Sequence, residues 1–328
     1  MIFAFVSCDK GKDTEADSIQ FELPERFPAV LHPSDNAFSE ERLALGKLLF
    51  YDPILSVDSS ISCGSCHKQE FAFGDNNSVS KGVEGREGNR NSPSLANVAF
   101  HPYYTREGGV PTLEQHVLVP IQEHPEMDYN IVDVGYRIEN HKSYKTLCEI
   151  AYPGKPYYFA IVNSIAQFQR SLLSANSSFD AFVFDENSKA LNSMEVKGMN
   201  LFFSDKTQCA SCHGGINFTN YAFENNGLYK VYNDVGRYRL TREKVDMEKF
   251  KIPSLRNVAL TAPYMHDGSV NTLEDIVEHY NLGGKQNLNK SELVQPLGLT
   301  QEEKASLVAF LKALTDNTFI NNIKYKKE

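Results

Sequence analysis

Two strings in this chain hold the side chains best suited to chemistry: Cys63-Gly-Ser-Cys66-His67 and Cys209-Ala-Ser-Cys212-His213. In C-x-x-C-H the two thiols have the spacing to add across the two vinyl groups of a haem, and the adjacent imidazole turns onto the iron. One copy alone would also suit half of a zinc site or a thioredoxin-like dithiol. Two copies, each ending in His, favour two covalently bound haem c groups. Cys63, Cys66, Cys209 and Cys212 are then the attachment points, with His67 and His213 as iron ligands. The other two cysteines, Cys8 and Cys148, suggest no disulfide framework, and Cys148 reads as a small buried hydrophobe.

The surroundings of these strings recur in the same order. Gly46-Lys-Leu-Leu-Phe50 is answered by Gly198-Met-Asn-Leu-Phe-Phe203, and Pro93-Ser-Leu-Ala-Asn-Val-Ala99 by Pro253-Ser-Leu-Arg-Asn-Val-Ala259. Thr112-Leu-Glu114 is answered by Thr272-Leu-Glu274, nineteen positions after Pro93 and Pro253 respectively. The repeat predicts two haem domains of common descent.

What lies on the second face of each iron decides between a relay and an enzyme, because only an open iron can bind peroxide or oxygen. Eight residues beyond Thr112 stands Pro120, and eight beyond Thr272 stands Tyr280. Proline offers iron no donor, whereas a tyrosine phenolate can be a ligand. The first haem is therefore expected to be open and the second closed by Tyr280. Met265 is the competing ligand, and Tyr280 then packs its ring in the core; His266 and His279 read as polar histidines. An open haem that cleaves peroxide needs a group that moves a proton between the two oxygens. Glu126, six residues past Pro120, is the candidate. His116, one helical turn before Pro120, is expected to face the same pocket, and Gln115 reads as a capping partner of Thr112.

To hold these residues the chain has helices. Apolar residues recur at helical spacing over 39–50, 157–173, 193–203, 272–280 and 300–314, and Thr300-Gln-Glu-Glu303 reads as a capping box. Long Gly-, Asn- and Pro-rich loops such as 74–94 and 214–252 need another organiser, which a haem would supply. The expected fold is mainly α, with two c-type cytochrome domains related by internal duplication and long irregular loops around the haems. Expected boundaries are 23–191 for the N-terminal haem c domain and 192–328 for the C-terminal haem c domain, with 157–190 packing between them. Residues 1–8 resemble the end of a lipoprotein signal with Cys8 lipidated, and 9–22 a polar linker. The formal net charge of −9 disfavours nucleic acid and anionic membrane surfaces.

On these residues, and on Arg90-Asn-Ser-Pro93 and Leu260-Thr-Ala-Pro-Tyr-Met-His-Asp-Gly268, the chain resembles the bacterial di-haem cytochrome c peroxidases and their relative MauG from about Ala37 to Thr315. The resemblance implies a peroxidatic N-terminal haem, an electron-accepting C-terminal haem, and a calcium ion between them held by Asn91 and the carbonyls of Thr261 and Pro263. It matches the family's distal glutamate to Glu126. It also implies hydrogen peroxide as substrate, a small cytochrome c or cupredoxin as donor, and a periplasmic or outward-facing lipoprotein location; it leaves a homodimer open.

Departures from the family are informative. The typical peroxidase has methionine where this chain has Tyr280, and tyrosine there is similar to MauG. The stretch Lys81-Gly-Val-Glu-Gly85 lacks the histidine that closes the first haem in many relatives, so activity without prior reduction is expected. The chain has no tryptophan, and Arg106 falls where relatives place one between the haems, leaving Tyr103 or Tyr104 as the electron route. His116 replaces a distal glutamine. The expected activity is a cytochrome c peroxidase; the rivals are a MauG-like oxidase of a larger partner and a plain di-haem electron carrier or redox sensor.

Overall fold

The computed structural model describes residues 23–327, so Cys8 and the expected signal and linker lie outside the described residues. Within them the chain is helix-rich with little sheet. The helices are α1 (Glu40–Tyr51), α2 (Cys63–Cys66), α3 (Leu113–Gln122), α4 (Ile131–Glu139), α5 (Lys142–Ala151), α6 (Tyr157–Arg170) and α7 (Ser178–Val183), then α8 (Ser193–Phe202), α9 (Cys209–Cys212), α10 (Tyr238–Thr241), α11 (Leu273–Asn281), α12 (Gln301–Lys312) and α13 (Asn317–Asn321). The single ladder pairs β1 (Phe223–Glu224) with β2 (Phe250–Lys251), antiparallel. No helix among the described residues is long and apolar enough to cross a membrane.

Local rules explain where the long helices begin. Ser39, Thr112, Thr272 and Thr300 each accept a backbone N–H of the first turn, and Thr300 with Glu303 forms the expected capping box. Gln115 is different: its backbone N–H meets Thr112, but its side chain is exposed and does not reciprocate. The neighbouring Glu114 is drawn away to Arg170 and Asn36 instead.

Two helix crossings carry the packing. At Gly46 in α1 a Cβ would lie 1.8 Å from the Ser164 carbonyl oxygen of α6, and at Gly198 in α8 it would lie 1.8 Å from that of Ser306 in α12. Glycine costs a helix about 1 kcal/mol relative to alanine; here it permits backbone contact. Ser164 and Ser306 fold their hydroxyls back onto the carbonyls four residues earlier, keeping both crossings smooth. Beside each crossing sit three phenylalanines. Phe50, Phe73 and Phe168 have centroids 5.0 to 6.4 Å apart, and Phe202, Phe218 and Phe310 have theirs 5.2 to 6.3 Å apart.

The core divides into two apolar clusters, one around α1, α3 and α6 and the other around α8, α11 and α12. The segment 157–190 is shared between them rather than interposed whole: α6 belongs to the first and Phe179 of α7 to the second. The turns leading into them also match. Asn97 and Asn257 both hold positive φ, 58° and 60°, a region Asn tolerates. Their N–H groups donate to Leu172 and Leu314, and their side-chain oxygens accept from the N–H groups of Ser174 and Asp316. Between the clusters Asp180 takes a bidentate pair from Arg256 at 2.9 and 3.0 Å, with both side chains buried.

Replacing Gly46 or Gly198 with Ala forces the crossing apart. Each variant is expected to lose about 3 kcal/mol or more of stability in urea denaturation; a loss within experimental error would mean the helices do not meet there.

Candidate functional site

The first C-x-x-C-H string begins as a single helical turn, α2, and His67 follows at its C-terminal end. The His67 Nδ1 lies 2.7 Å from the Phe73 carbonyl oxygen, which fixes the ring as an Nδ1 donor and leaves Nε2 free as a ligand atom. In the second string His213 follows α9, with Nδ1 3.1 Å from the Phe218 carbonyl oxygen. Cys63, Cys66, Cys209 and Cys212 are all free thiols. No group of three or more His, Cys, Asp or Glu among the described residues could hold a metal ion, so these pairs are not arranged as zinc sites. Free thiol pairs, each with an oriented imidazole, fit covalent haem attachment.

Over the first pair run α3 and the turn after it. Pro120 stands inside α3, which removes one helix donor, and its carbonyl is taken by the Met127 N–H at 3.1 Å. This return brings Glu126 back beside the first string, where its charge acts on both Cys63 and Cys66. The Glu126 backbone is clamped by Val83, whose N–H donates to its carbonyl at 2.9 Å, and a Cβ on Gly82 would strike the Pro125 carbonyl oxygen at 2.1 Å. The Lys81–Gly85 stretch therefore supports the glutamate instead of supplying a ligand. Glu126 is exposed to solvent, although neighbouring protein atoms desolvate its carboxyl. Desolvation, then the charge of Glu123, pushes its pKa up to about 7.

His116 lies toward His67. Its Nδ1 is buried without a partner, its ring lies 5.4 Å from that of Tyr104, and burial, then His67 and Lys251, lowers its pKa to about 4. It is a neutral imidazole at pH 7. His101 is a neighbour that the sequence reading missed. Its Nε2 is also buried and unpartnered, and burial, Lys251 and His116 bring it down to about 3. Nothing local marks His101, because only packing brings it toward His116.

The second pair is arranged differently. The Tyr280 hydroxyl and the Met265 Sδ converge on one amide: Asn226 Nδ2 lies 3.5 Å from the former and 3.2 Å from the latter. Desolvation raises the Tyr280 phenol, and the charges of Cys209 and Cys212 act on it in the same direction. Asn226 lies in the longer loop of the second half and has no counterpart in the repeated words, so no sequence signal singled it out. His279 is engaged through Nε2 with the Asn226 carbonyl oxygen at 3.0 Å, and His266 stacks on Phe250 at 4.2 Å.

Register shows how the two places differ. Pro120 and Tyr280 stand eight residues after Thr112 and Thr272, the N-caps of α3 and α11. Thr105 and Met265 occupy matching turns, with φ of 65° and 77°, closed by the bridges Tyr104 to Val110 and Tyr264 to Val270. One half thus presents Thr and Pro where the other presents Met and Tyr.

The expected calcium ligands do not fit that ion. Both oxygens of Asn91 accept from the Arg106 guanidinium: Nε and Nη2 reach the carbonyl at 3.2 and 2.7 Å, and Nη2 reaches Oδ1 at 3.2 Å. A divalent cation sharing an oxygen with a guanidinium meets repulsion on the order of 5 kcal/mol even at an effective dielectric near 20. Thr261 and Pro263 lie on the turn after Val258–Leu260. Tyr103 donates to the Tyr221 carbonyl and stacks on Phe223 at 5.2 Å.

Known proteins are similar to this chain over most of its length. A family model for di-haem cytochrome c peroxidase matches residues 40–188. The methylamine utilization protein MauG of Methylorubrum extorquens is 32% identical over 322 residues, covering 95% of this chain and 90% of that protein. The cytochrome-c peroxidase IdrP1 of Pseudomonas sp. strain SCT is 32% identical over 327 residues, covering 88% and 84%. Among solved structures, a MauG-like protein associated with microbial copper homeostasis aligns with a TM-score of 0.89 at 35% identity, over 94% of this chain and 99% of that one.

The raised carboxyl has a measurable consequence. An unfolded Glu ionises near 4.5, but folded Glu126 keeps its proton to about 7. Between those values the folded chain binds a proton that the unfolded chain lacks, so this group's contribution to stability falls as pH rises through the window. Glu126→Gln is expected to flatten that part of the profile in urea denaturation at several pH values; an unchanged slope would return Glu126 to an ordinary carboxylate.

Proposed function

Because this chain belongs to the di-haem cytochrome c peroxidase family, we propose that it reduces hydrogen peroxide to water with electrons from a small periplasmic cytochrome c or cupredoxin. The family comprises oxidoreductases of peroxidase or oxidase type that carry haem c. Cys63, Cys66 and His67 hold one haem and Cys209, Cys212 and His213 the other, in N- and C-terminal domains of about 23–191 and 192–328 related by internal duplication. The paired glycine crossings, phenylalanine trios and Asn turns support that duplication. A lipid anchor on Cys8 would keep the protein on the outward face of a membrane.

The observation that carries the reading is the inequality of the two halves, Thr105 and Pro120 against Met265 and Tyr280. When bound, each haem supplies an iron that passes single electrons, and an iron with a free position supplies the place where peroxide is reduced. On the side of Thr105 and Pro120 the places matching Met265 and Tyr280 supply no thioether or phenol for that position. Glu126 takes a proton from one peroxide oxygen and returns it to the other; a group with a pKa near 7 does both at neutral pH. His116, neutral and desolvated, keeps an unpartnered nitrogen near His67 that a bound group could meet. On the other side Tyr280 is the ligand and Met265 the second choice. Burial holds the Tyr280 proton in place, so ligation as a phenolate requires a positive charge beside its oxygen.

Tyr280 also favours a second reading, an oxidase that acts on a larger partner, and MauG-type proteins are among the similar relatives. A phenolate ligand stabilises ferric iron, which suits a donor-fed relay less well.

Steady-state assays separate the two. Rapid peroxide-dependent oxidation of reduced cytochrome c or cupredoxin is expected, and Glu126→Gln is expected to slow it by roughly 10²–10⁴; no donor oxidation would sink the peroxidase reading. In Tyr280→Phe, one haem is expected to change from low-spin to high-spin in the ferric spectrum while the other is untouched. An unaltered spectrum would transfer the ligand role to Met265.

A further inference from the structure

The segments around Asn91 and Arg106 form a seam between the two halves. The Asn91 N–H donates to the His266 carbonyl at 2.9 Å, and the Lys251 N–H donates to the Arg106 carbonyl at 2.6 Å. By the spacing of the repeated words, Lys251 is the counterpart of Asn91 and His266 that of Arg106, so the two halves exchange equivalent backbone bonds here. Within this seam Arg106 sends two donors to the Asn91 carbonyl and one to its Oδ1. Asn91 is buried, and its Nδ2 is anchored on the Asn77 carbonyl at 3.1 Å, which turns Oδ1 toward the guanidinium.

We propose that the Arg106 guanidinium is a built-in replacement for a divalent cation at this seam, so that the protein binds no calcium there and needs none. Calcium demands six to eight oxygen ligands, and the Asn91 oxygens are already engaged. A planar guanidinium fits a carbonyl and an amide oxygen with adjacent donors, and it cannot dissociate or be chelated. The nearby acids do not offer a vacant cage either. Asp234 takes a bidentate pair from Arg90 at 2.7 and 3.1 Å, Glu107 also bonds Arg90, and Asp267 accepts from the Tyr229 hydroxyl at 2.7 Å. Their summed field still favours one positive charge. Burial, with Arg90 next, lowers Arg106 only to about 10, so it stays charged at pH 7, and burial with Arg106 lowers the neighbouring Lys251 to about 8.

The test uses the haem-loaded protein and does not depend on its activity. After desalting into calcium-free buffer without chelator, elemental analysis is expected to find fewer than about one calcium per ten chains, and millimolar calcium is expected to leave the thermal midpoint unchanged. About one calcium retained per chain, or a midpoint that rises on adding calcium, would overturn the proposal. Arg106→Gln removes the charge and is expected to lower the midpoint by roughly 5 °C or more, with calcium restoring part of the loss. A Gln variant as stable as the wild type would also overturn it. If the variant does not fold, the calcium content and calcium response of the wild type decide alone.

Discussion

At Gly46 and Gly198 the backbones of paired helices come so close that a single methyl group would overlap a carbonyl oxygen. Everything near the two C-x-x-C-H strings is referenced to those contacts. The helix carrying each glycine also carries a phenylalanine, Phe50 or Phe202, whose ring packs against the residue whose carbonyl orients the histidine. A shift of either crossing would move that carbonyl and release the imidazole. Packing of this density transmits displacement rather than absorbing it.

From that shared frame the chain builds two unequal places. Both α3 and α11 start from a threonine cap, so register alone puts Pro120 and Tyr280 at the same distance along their helices. The proline removes a helix donor, and the chain folds back through Met127 to set Glu126 beside the first string. After Tyr280 the chain returns later, with the Leu297 N–H donating to the Asn281 carbonyl, and the loop through Asn226 gathers Met265 and Tyr280 on one amide. An acid–base group thus faces one half and potential ligands the other.

Electrostatics separates the same regions. Near the first string lie neutral, desolvated groups, His101 and His116, and beside Cys63 and Cys66 a glutamate with a pKa near neutrality. The seam holds Arg90, Arg106 and Lys251 against Glu107, Asp234 and Asp267. Lys251 links the two: burial and Arg106 lower it to about 8, and its charge in turn helps keep His101 and His116 neutral.

The sequence by itself determined the two attachment strings, the repeated words, and the starts of the long helices, because each depends on spacing or on bonds within a single turn. It also placed Pro120 opposite Tyr280, since counting from a helix cap is local. Gln115 likewise meets the Thr112 cap through its backbone N–H, while only the fold shows that its side chain stays exposed. Only the tertiary structure decided that Asn226 meets side chains 39 and 54 residues away, that Glu126 returns to Cys63, and that Arg106 takes the Asn91 oxygens. Those contacts depend on the path of long loops, and a loop's path is set by which buried donors and acceptors find each other, which residue spacing does not encode.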